Sequence, residues 1–192
     1  RVMEELTVEE KREVLSGLDA GDTNSIKRVK IRSMKKADGP NGVRGNGTSG
    51  KSSACFPCAI SLGSTWNMGL INEVGVALGQ EAKSKDVDVL LGPTINIHRH
   101  PLGGRHFESY SEDPFLTGMI ATEYVKGVQS QDVAACLKHF VGNDTEYQRY
   151  AVSSNISERA LREIYLLPFE MGVKDGDAKV VLIAYNKLNI TN

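Results

Sequence analysis

The sequence predicts an α/β fold in which short parallel strands alternate with helices. Short apolar runs recur at regular spacing, over residues 87–91, 133–137 and 180–184, and each resembles a buried strand. Amphipathic segments of helical period lie between these runs. Because a strand–helix–strand unit makes a right-handed crossover between parallel strands, this alternation predicts an α/β class.

The segments between the strands carry recognisable start and stop signals. Thr7-Val-Glu-Glu10 is a capping-box pattern and predicts a short surface helix. Residues 37–51 hold five glycines and a proline, which predicts a loop without regular structure. Asn67 is a candidate cap for a helix that reaches Lys85, Ser111-Glu-Asp-Pro114 opens a helix to about residue 130, and Ser157 begins an amphipathic helix that continues to Val173.

Length and composition bound the class of protein. The 192 residues are 40% hydrophobic and 24% charged, with a net charge of −1, which predicts a globular chain without a nucleic-acid footprint. No apolar run is long enough to span a membrane and the first residues lack an apolar signal core, so we expect no membrane partner. Three cysteines cannot all pair, which favours a reducing compartment, although a removed signal peptide would leave secretion possible.

The number of strands predicts that the sequence is part of a longer protein. A parallel sheet of three or so strands would leave an unprotected edge and an uncovered face. We therefore expect the early part of a TIM-type (β/α)8 barrel, incomplete within residues 1–192. A complete small doubly wound domain is the competing interpretation.

Polar clusters follow the predicted strands and form a candidate ligand site. Arg105 lies in the polar segment after the first strand, Lys138 and His139 follow the second, and Tyr185 follows the third. Because strand carboxyl ends share one face of a barrel, these side chains should meet there with Asp38 of the glycine-rich loop. One carboxylate among fixed N–H donors suits a neutral polyhydroxylated ligand.

Other interpretations of the same residues remain open. Asp38 can be a turn residue, Arg105 a surface charge, and Lys138 with His139 a solvated pair. Cys55 and Cys58 have dithiol redox spacing but lack the strand that such a motif follows, and we expect them unpaired and at least partly buried. His98, His100 and His106 lack a carboxylate at ligand spacing, so no metal or other cofactor is expected.

Nine ordered segments resemble glycoside hydrolase family 3, and specifically its β-glucosidase branch. The first and second segments are most similar to fungal members. The nine segments are Ala37-Asp-Gly-Pro-Asn-Gly-Val-Arg-Gly45, Cys55-Phe-Pro57, Leu62-Gly-Ser-Thr-Trp-Asn67, Leu91-Gly-Pro-Thr-Ile-Asn96, Pro101-Leu-Gly-Gly-Arg-His-Phe-Glu108, Ser111-Glu-Asp-Pro-Phe-Leu116, Lys138-His-Phe140, Glu158-Arg-Ala-Leu-Arg-Glu-Ile-Tyr165 and Ala184-Tyr-Asn186.

The resemblance implies a retaining hydrolase of terminal β-D-glucosyl residues, with β-glucosides or cello-oligosaccharides as substrates. It matches six positions of this sequence to substrate-binding residues of the family. Those positions are Asp38, Arg105, Lys138, His139, Arg149 and Tyr185. The segment Lys138-His-Phe-Val-Gly-Asn-Asp144 lacks the Lys-His-Phe-Pro-Gly-His-Gly pattern of the branch that hydrolyses N-acetylglucosaminides.

The two catalytic carboxylates that the resemblance implies are not matched within residues 1–192. The family nucleophile is expected after a further strand and the acid/base in a later domain. A retaining mechanism needs both groups about 5 Å apart, so this stretch alone is expected to be inactive. A non-catalytic sugar-binding relative and a thiol redox module built on Cys55 and Cys58 are the alternatives.

Overall fold

The computed structural model describes residues 2–19, 21–44 and 52–189. Four parallel strands form the main sheet, in the order β1-β2-β3-β5, and a small second sheet pairs β4 with β6. The strands are β1 Lys36–Asp38, β2 Val89–Leu91, β3 Ala134–Phe140, β4 Ser153–Ser154, β5 Val180–Ile183 and β6 Lys187–Leu188.

Seven α-helices are found in the described residues. They are α1 Val2–Glu5, α2 Val8–Leu15, α3 Ala59–Gly63, α4 Met68–Ser84, α5 Pro114–Gln129, α6 Glu158–Ala160 and α7 Leu167–Lys174. Side-chain caps predicted from the sequence are confirmed at three of them. Thr7 and Glu10 form a capping box before α2, Asn67 accepts from Leu70 N–H, and Ser157 accepts from Ala160 N–H. None of these helices is long and apolar enough to cross a membrane.

The main sheet is covered by the helices that connect its strands. α4 links β1 to β2, α5 links β2 to β3, and α7 precedes β5. The central strand β3 is buried along nearly its whole length, while the residues of β5 are half-buried or exposed. The hydrophobic core lies between sheet and helices, with Leu90, Leu137, Ile120 and Leu78 fully enclosed. The alternating α/β arrangement is confirmed, and the described strands do not close into a barrel.

The first strand was not predicted. Residues 37 and 38, assigned from the sequence to a glycine-rich loop, instead pair with β2, with Ala37 opposite Leu90 and Asp38 opposite Leu91. Three residues are too few to show a strand period, and the strand forms because Ala37 packs into the core at 5% exposure. The later part of that loop, residues 45–51, lies outside the described residues.

The predicted helix from Ser157 to Val173 is interrupted. α6 gives way to a π-helical turn at Leu161–Tyr165, and α7 then resumes the helix. Pro168 has no N–H to donate to the preceding turn, and the wider turn is closed by the Leu166 N–H, which donates to the Leu161 carbonyl at 2.8 Å.

Candidate functional site

Asp38 is placed by the end of β1 and by the turn that follows it. Gly39 has φ +125°, a conformation that favours glycine, and the Asp38 carbonyl accepts the Arg44 N–H at 2.8 Å to close the turn. The Tyr124 hydroxyl on α5 donates to the Pro40 carbonyl at 3.0 Å. The Asp38 side chain remains 43% exposed at the carboxyl end of the sheet.

Lys138 and His139 lie within β3, not beyond it as the sequence analysis expected. The apolar run that suggested the strand ends at Leu137, but hydrogen bonding continues to Phe140 because these polar residues are buried against neighbouring strands. The peptide bonds Gly92–Pro93, Lys138–His139 and Phe140–Val141 along this edge are cis. Both side chains still reach the carboxyl end of the sheet.

A short ion pair joins Asp38 to Lys138. The ammonium Nζ donates to Asp38 Oδ1 at 2.7 Å, and Arg44 NH2 lies 3.3 Å from Oδ2. Burial would raise the pKa of Asp38, but the Lys138 ammonium outweighs it and holds the pKa of this carboxyl below its usual value. Asp38 is therefore a permanent acceptor at neutral pH and is unsuited to act as a proton donor.

His139 is held as a neutral imidazole. Burial, together with the positive charges of Arg105 and Lys138, lowers the pKa of His139 to about 3. Arg105 NH1 lies 3.2 Å from His139 Nε2, and a guanidinium can only donate, so Nε2 carries the lone pair. The proton is then on Nδ1, which faces the Asn96 side-chain oxygen at 3.2 Å.

Two carboxylates that the sequence analysis did not single out complete the cluster. Glu108 binds Arg105 Nε and lies 3.9 Å from Lys138 Nζ, while Glu146 lies 3.9 Å from Arg105 NH1 and 2.7 Å from Arg149 NH1. Each glutamate is three residues from an arginine, but neither pair lies on an α-helix, so this spacing alone does not single them out. Acidic and basic groups therefore alternate along the cluster.

Arg149 and Tyr185 belong to a cation–aromatic cluster that is linked to the charged cluster through Glu146. The Arg149 guanidinium lies 5.0 Å from the Tyr150 ring centroid and 5.4 Å from that of Tyr185, and the two rings are 4.9 Å apart. Tyr185 is 63% exposed. The structure thus brings Asp38, Arg105, Lys138 and His139 together and connects the other two predicted residues through Glu146.

The cavity next to this cluster is small. A polar cavity behind Arg105 and His139 has a volume of about 10 Å³, room for roughly one water and far too little for a sugar ring. Lys138 and Arg105 keep N–H groups without a hydrogen bond among the described residues, and with the exposed carboxylate of Asp38 they are the candidate groups for contact with a polyhydroxylated ligand.

The cysteine and histidine alternatives have no comparable geometry. Cys55 and Cys58 are free, as expected, but Cys55 is exposed, contrary to the expectation that both are partly buried, because it lies in an extended surface segment before α3. His98 and His106 stack at 4.7 Å. Within the described part of the chain, no group of three His, Cys, Asp or Glu side chains is arranged to hold a metal.

Comparison with known proteins gives a consistent result. The sequence profile of the glycosyl hydrolase family 3 N terminal domain matches residues 6–191. A beta-glucosidase of Rhizobium radiobacter is 54% identical over 192 residues, covering 99% of this chain and 24% of that protein. A probable beta-glucosidase I of Neosartorya fischeri is 50% identical and covers 100% of this chain and 23% of its own length.

Solved structures show the same similarity. The beta-glucosidase of Kluyveromyces marxianus in complex with glucose has a TM-score of 0.95 and 46% identity, covering 98% of this chain and 23% of that one. Beta-glucosidase 3B of Thermotoga neapolitana in complex with glucose has a TM-score of 0.91 and 48% identity, and the match covers 98% of this chain and 29% of that one. The chain therefore spans about a quarter of the length of these relatives. Nothing in these similarities supports a thiol redox module.

Proposed function

The chain belongs to glycosyl hydrolase family 3, and from that premise we propose that it is the first part of a retaining β-glucosidase. The longer protein would remove terminal β-D-glucosyl units from the non-reducing ends of β-glucosides or cello-oligosaccharides. Residues 1–192 would supply part of the barrel and most of the pocket for the terminal glucosyl ring. Support comes from relatives about half identical to this chain that are named beta-glucosidases.

The observation that carries the proposal is the array of one partly exposed carboxylate, Asp38, among buried and half-buried N–H donors. Asp38 can accept two hydroxyl protons from one ring, and charge-assisted bonds of this kind are the strong ones. Lys138, at 2% exposure, is held within the sheet, so its remaining N–H groups are fixed before a ligand arrives. Neutral His139 adds no charge and keeps Arg105 oriented through Nε2.

Arg149 and Tyr185 are proposed to border the same pocket. Both lie in loops beyond strand carboxyl ends, and the contact of the Arg149 guanidinium with the Tyr185 ring supports their assignment to one border of the pocket. The nucleophile and the acid/base would come from elsewhere in the longer protein. Asp38 and Glu108 are both engaged by Lys138 and are assigned to binding and positioning.

Hydrolysis of a panel of 4-nitrophenyl glycosides by the full-length protein tests this function. We expect turnover of the β-glucoside, none of the α-glucoside or the N-acetyl-β-glucosaminide, and β-glucose as the first anomer seen by NMR. Binding of glucose without hydrolysis would instead identify a non-catalytic relative. An activity abolished by Cys58→Ser but unaffected by Asp38→Asn would contradict the proposal.

A further inference from the structure

Glu108 is a buried carboxylate placed between two donors of the candidate pocket. It ends the short 3-10 turn His106–Glu108 and is 5% exposed. The Thr94 hydroxyl donates to its Oε2 at 2.9 Å, and the Nε of Arg105 donates to its Oε1. Lys138 Nζ lies 3.9 Å from Oε2. A buried charge is tolerated when it is paired and hydrogen-bonded in this way.

The contacts of Glu108 leave N–H donors of both cations without a hydrogen bond among the described residues. It takes only the Nε–H of Arg105, and NH1 is directed to His139 Nε2, so NH2 has no hydrogen bond to any described residue. Lys138 donates one hydrogen bond to Asp38 among the described residues, and two N–H groups remain. Glu108 therefore fixes Arg105 through its Nε and attracts Lys138 from 3.9 Å, while the N–H groups that it does not engage remain for a ligand.

We propose that Glu108 is a positioning residue that aims Arg105 and Lys138 at the outer hydroxyls of the terminal glucosyl ring, and so contributes to selectivity for the intact sugar. It does not contact the substrate. The inference rests on the proposed function and extends it from the residues that bind the ring to the residue that orients them.

The charges around Arg105 explain why Glu108 decides its orientation. Glu146 lies 3.9 Å from Arg105 NH1, too far for a hydrogen bond but close enough to attract the guanidinium. Without the Glu108 charge, Arg105 would turn toward Glu146 and Lys138 would pair with Asp38 alone. The turn of Arg105 withdraws N–H donors from the pocket. Lys138, already 2.7 Å from Asp38, would bind that carboxylate more tightly and compete more strongly with the sugar for it.

The test measures kcat and KM of the full-length enzyme on 4-nitrophenyl β-D-glucoside and on its 3-, 4- and 6-deoxy analogues. Glu108→Gln removes the charge at constant size, and Glu108→Asp keeps the charge but shortens its reach. Thr94→Val removes the hydroxyl bond to Oε2 and leaves the charge in place. Glu163→Gln is the matched control, because Glu163 is exposed and pairs with Arg159 on the surface.

We expect Glu108→Gln to lower kcat/KM on the intact glucoside about tenfold or more, since a charge-assisted hydrogen bond to the ring is worth roughly that factor. For each enzyme, the deoxy factor is kcat/KM on the intact glucoside divided by kcat/KM on a deoxy analogue. This factor should be smaller in Glu108→Gln than in the wild type at one or more positions, because the variant has already lost the hydrogen bond that the analogue cannot make. Glu108→Asp should lower kcat/KM and the deoxy factors as Glu108→Gln does, and Thr94→Val should lower both by less. In Glu163→Gln both quantities should equal those of the wild type.

A purely structural role would lower activity equally on all four substrates, and that result would overturn the proposal. If Glu108→Gln does not fold, Thr94→Val decides, and deoxy factors equal to those of the wild type would refute the positioning role. Asp38→Asn in the same series separates the two levels of inference. If the wild-type enzyme does not hydrolyse the β-glucoside, the proposed function fails. If the wild type does and Asp38→Asn impairs hydrolysis while Glu108→Gln does not, only the role of Glu108 fails.

Discussion

Charge alternation allows six ionised side chains to share one end of the sheet. Asp38, Lys138, Glu108, Arg105, Glu146 and Arg149 form a continuous series in which each member lies within 4 Å of an opposite charge. Removing one member leaves its neighbours as unpaired charges in a partly buried region. This lowers the free energy of unfolding by more than the ion pair itself contributes. Substitutions here should therefore be interpreted together with the partner that they release.

His139 should remain uncharged well below neutral pH. Its pKa of about 3, lowered first by burial, compares with 6.5 for an ordinary histidine. Between the two pKa values, the unfolded chain carries a proton on His139 that the folded chain does not. The free energy of unfolding therefore falls as pH falls from 6.5 toward 3. NMR of 15N-histidine-labelled protein should show a neutral His139 with Nδ1 protonated at pH 5. A titration midpoint near 6.5, identified by the signal lost in His139→Gln, would contradict this.

Individual site residues differed in how far the sequence could predict them. Arg105, Lys138 and His139 were accessible because polar residues at strand ends in a parallel sheet share one face. Asp38 was expected at the same face as part of the glycine-rich loop, and the strand that carries it was missed. Glu108 and Glu146 were not accessible, because a charged residue in a loop is usually solvated and their role depends on contacts between distant segments. The stacking of Arg149 on Tyr185 joins loops after two different strands and has no local sequence pattern.

Between secondary-structure elements, α4 and α5 pack closely through paired glycines. A Cβ at Gly75 would lie 2.7 Å from the Tyr124 carbonyl oxygen, and one at Gly127 would overlap that of Asn72. These are backbone atoms, which cannot move aside without separating the helices.

Gly75→Ala should therefore lower the free energy of unfolding by about 1–3 kcal/mol, as overpacking of a core does. Gly69→Ala is the matched control on the same helix, because Gly69 is exposed and its Cβ would meet no described atom closer than 3.4 Å. The control should be neutral or stabilising, since alanine favours a helix more than glycine does. Equal losses in urea unfolding of the two variants would show that the close approach is not the cause.

The sequence predicted long elements better than short ones. α4 and α5 were found near their true bounds because each has many residues of regular period and a side-chain cap. β1, β4 and β6 have three residues or fewer and show no period. Their strand geometry comes from tertiary pairing, which local sequence does not encode.

On the scale of the whole molecule, β5 presents an apolar edge. Ile183 is 74% exposed and Val181 40% exposed, and a groove of about 480 Å³ runs beside them along Phe140, Phe169 and Val173. An exposed hydrophobic edge of a parallel sheet is normally covered or paired. In the longer barrel we expect a further strand to cover it.

Ile183→Asp in the full-length protein should then be as damaging as a core substitution, at about 2 kcal/mol or more, because a carboxylate would be buried without a partner. Leu15→Asp is the control, since Leu15 is 88% exposed at the end of α2. Thermal unfolding that is equally unaffected in both variants would show that the edge of β5 stays open.

Asp38 is proposed to hold the outer hydroxyls of a terminal glucosyl ring, and kcat/KM of Asp38→Ala beside Tyr185→Phe in the full-length enzyme measures this role. Asp38→Ala should lose about 10²-fold or more on an intact β-glucoside, because two charge-assisted bonds disappear, whereas Tyr185→Phe loses at most one neutral bond. The Asp38 effect should shrink on analogues that lack those hydroxyls. Equal losses for the two variants, or an Asp38 effect independent of the hydroxyls, would show that Asp38 does not bind them and would leave it as a turn residue before Gly39.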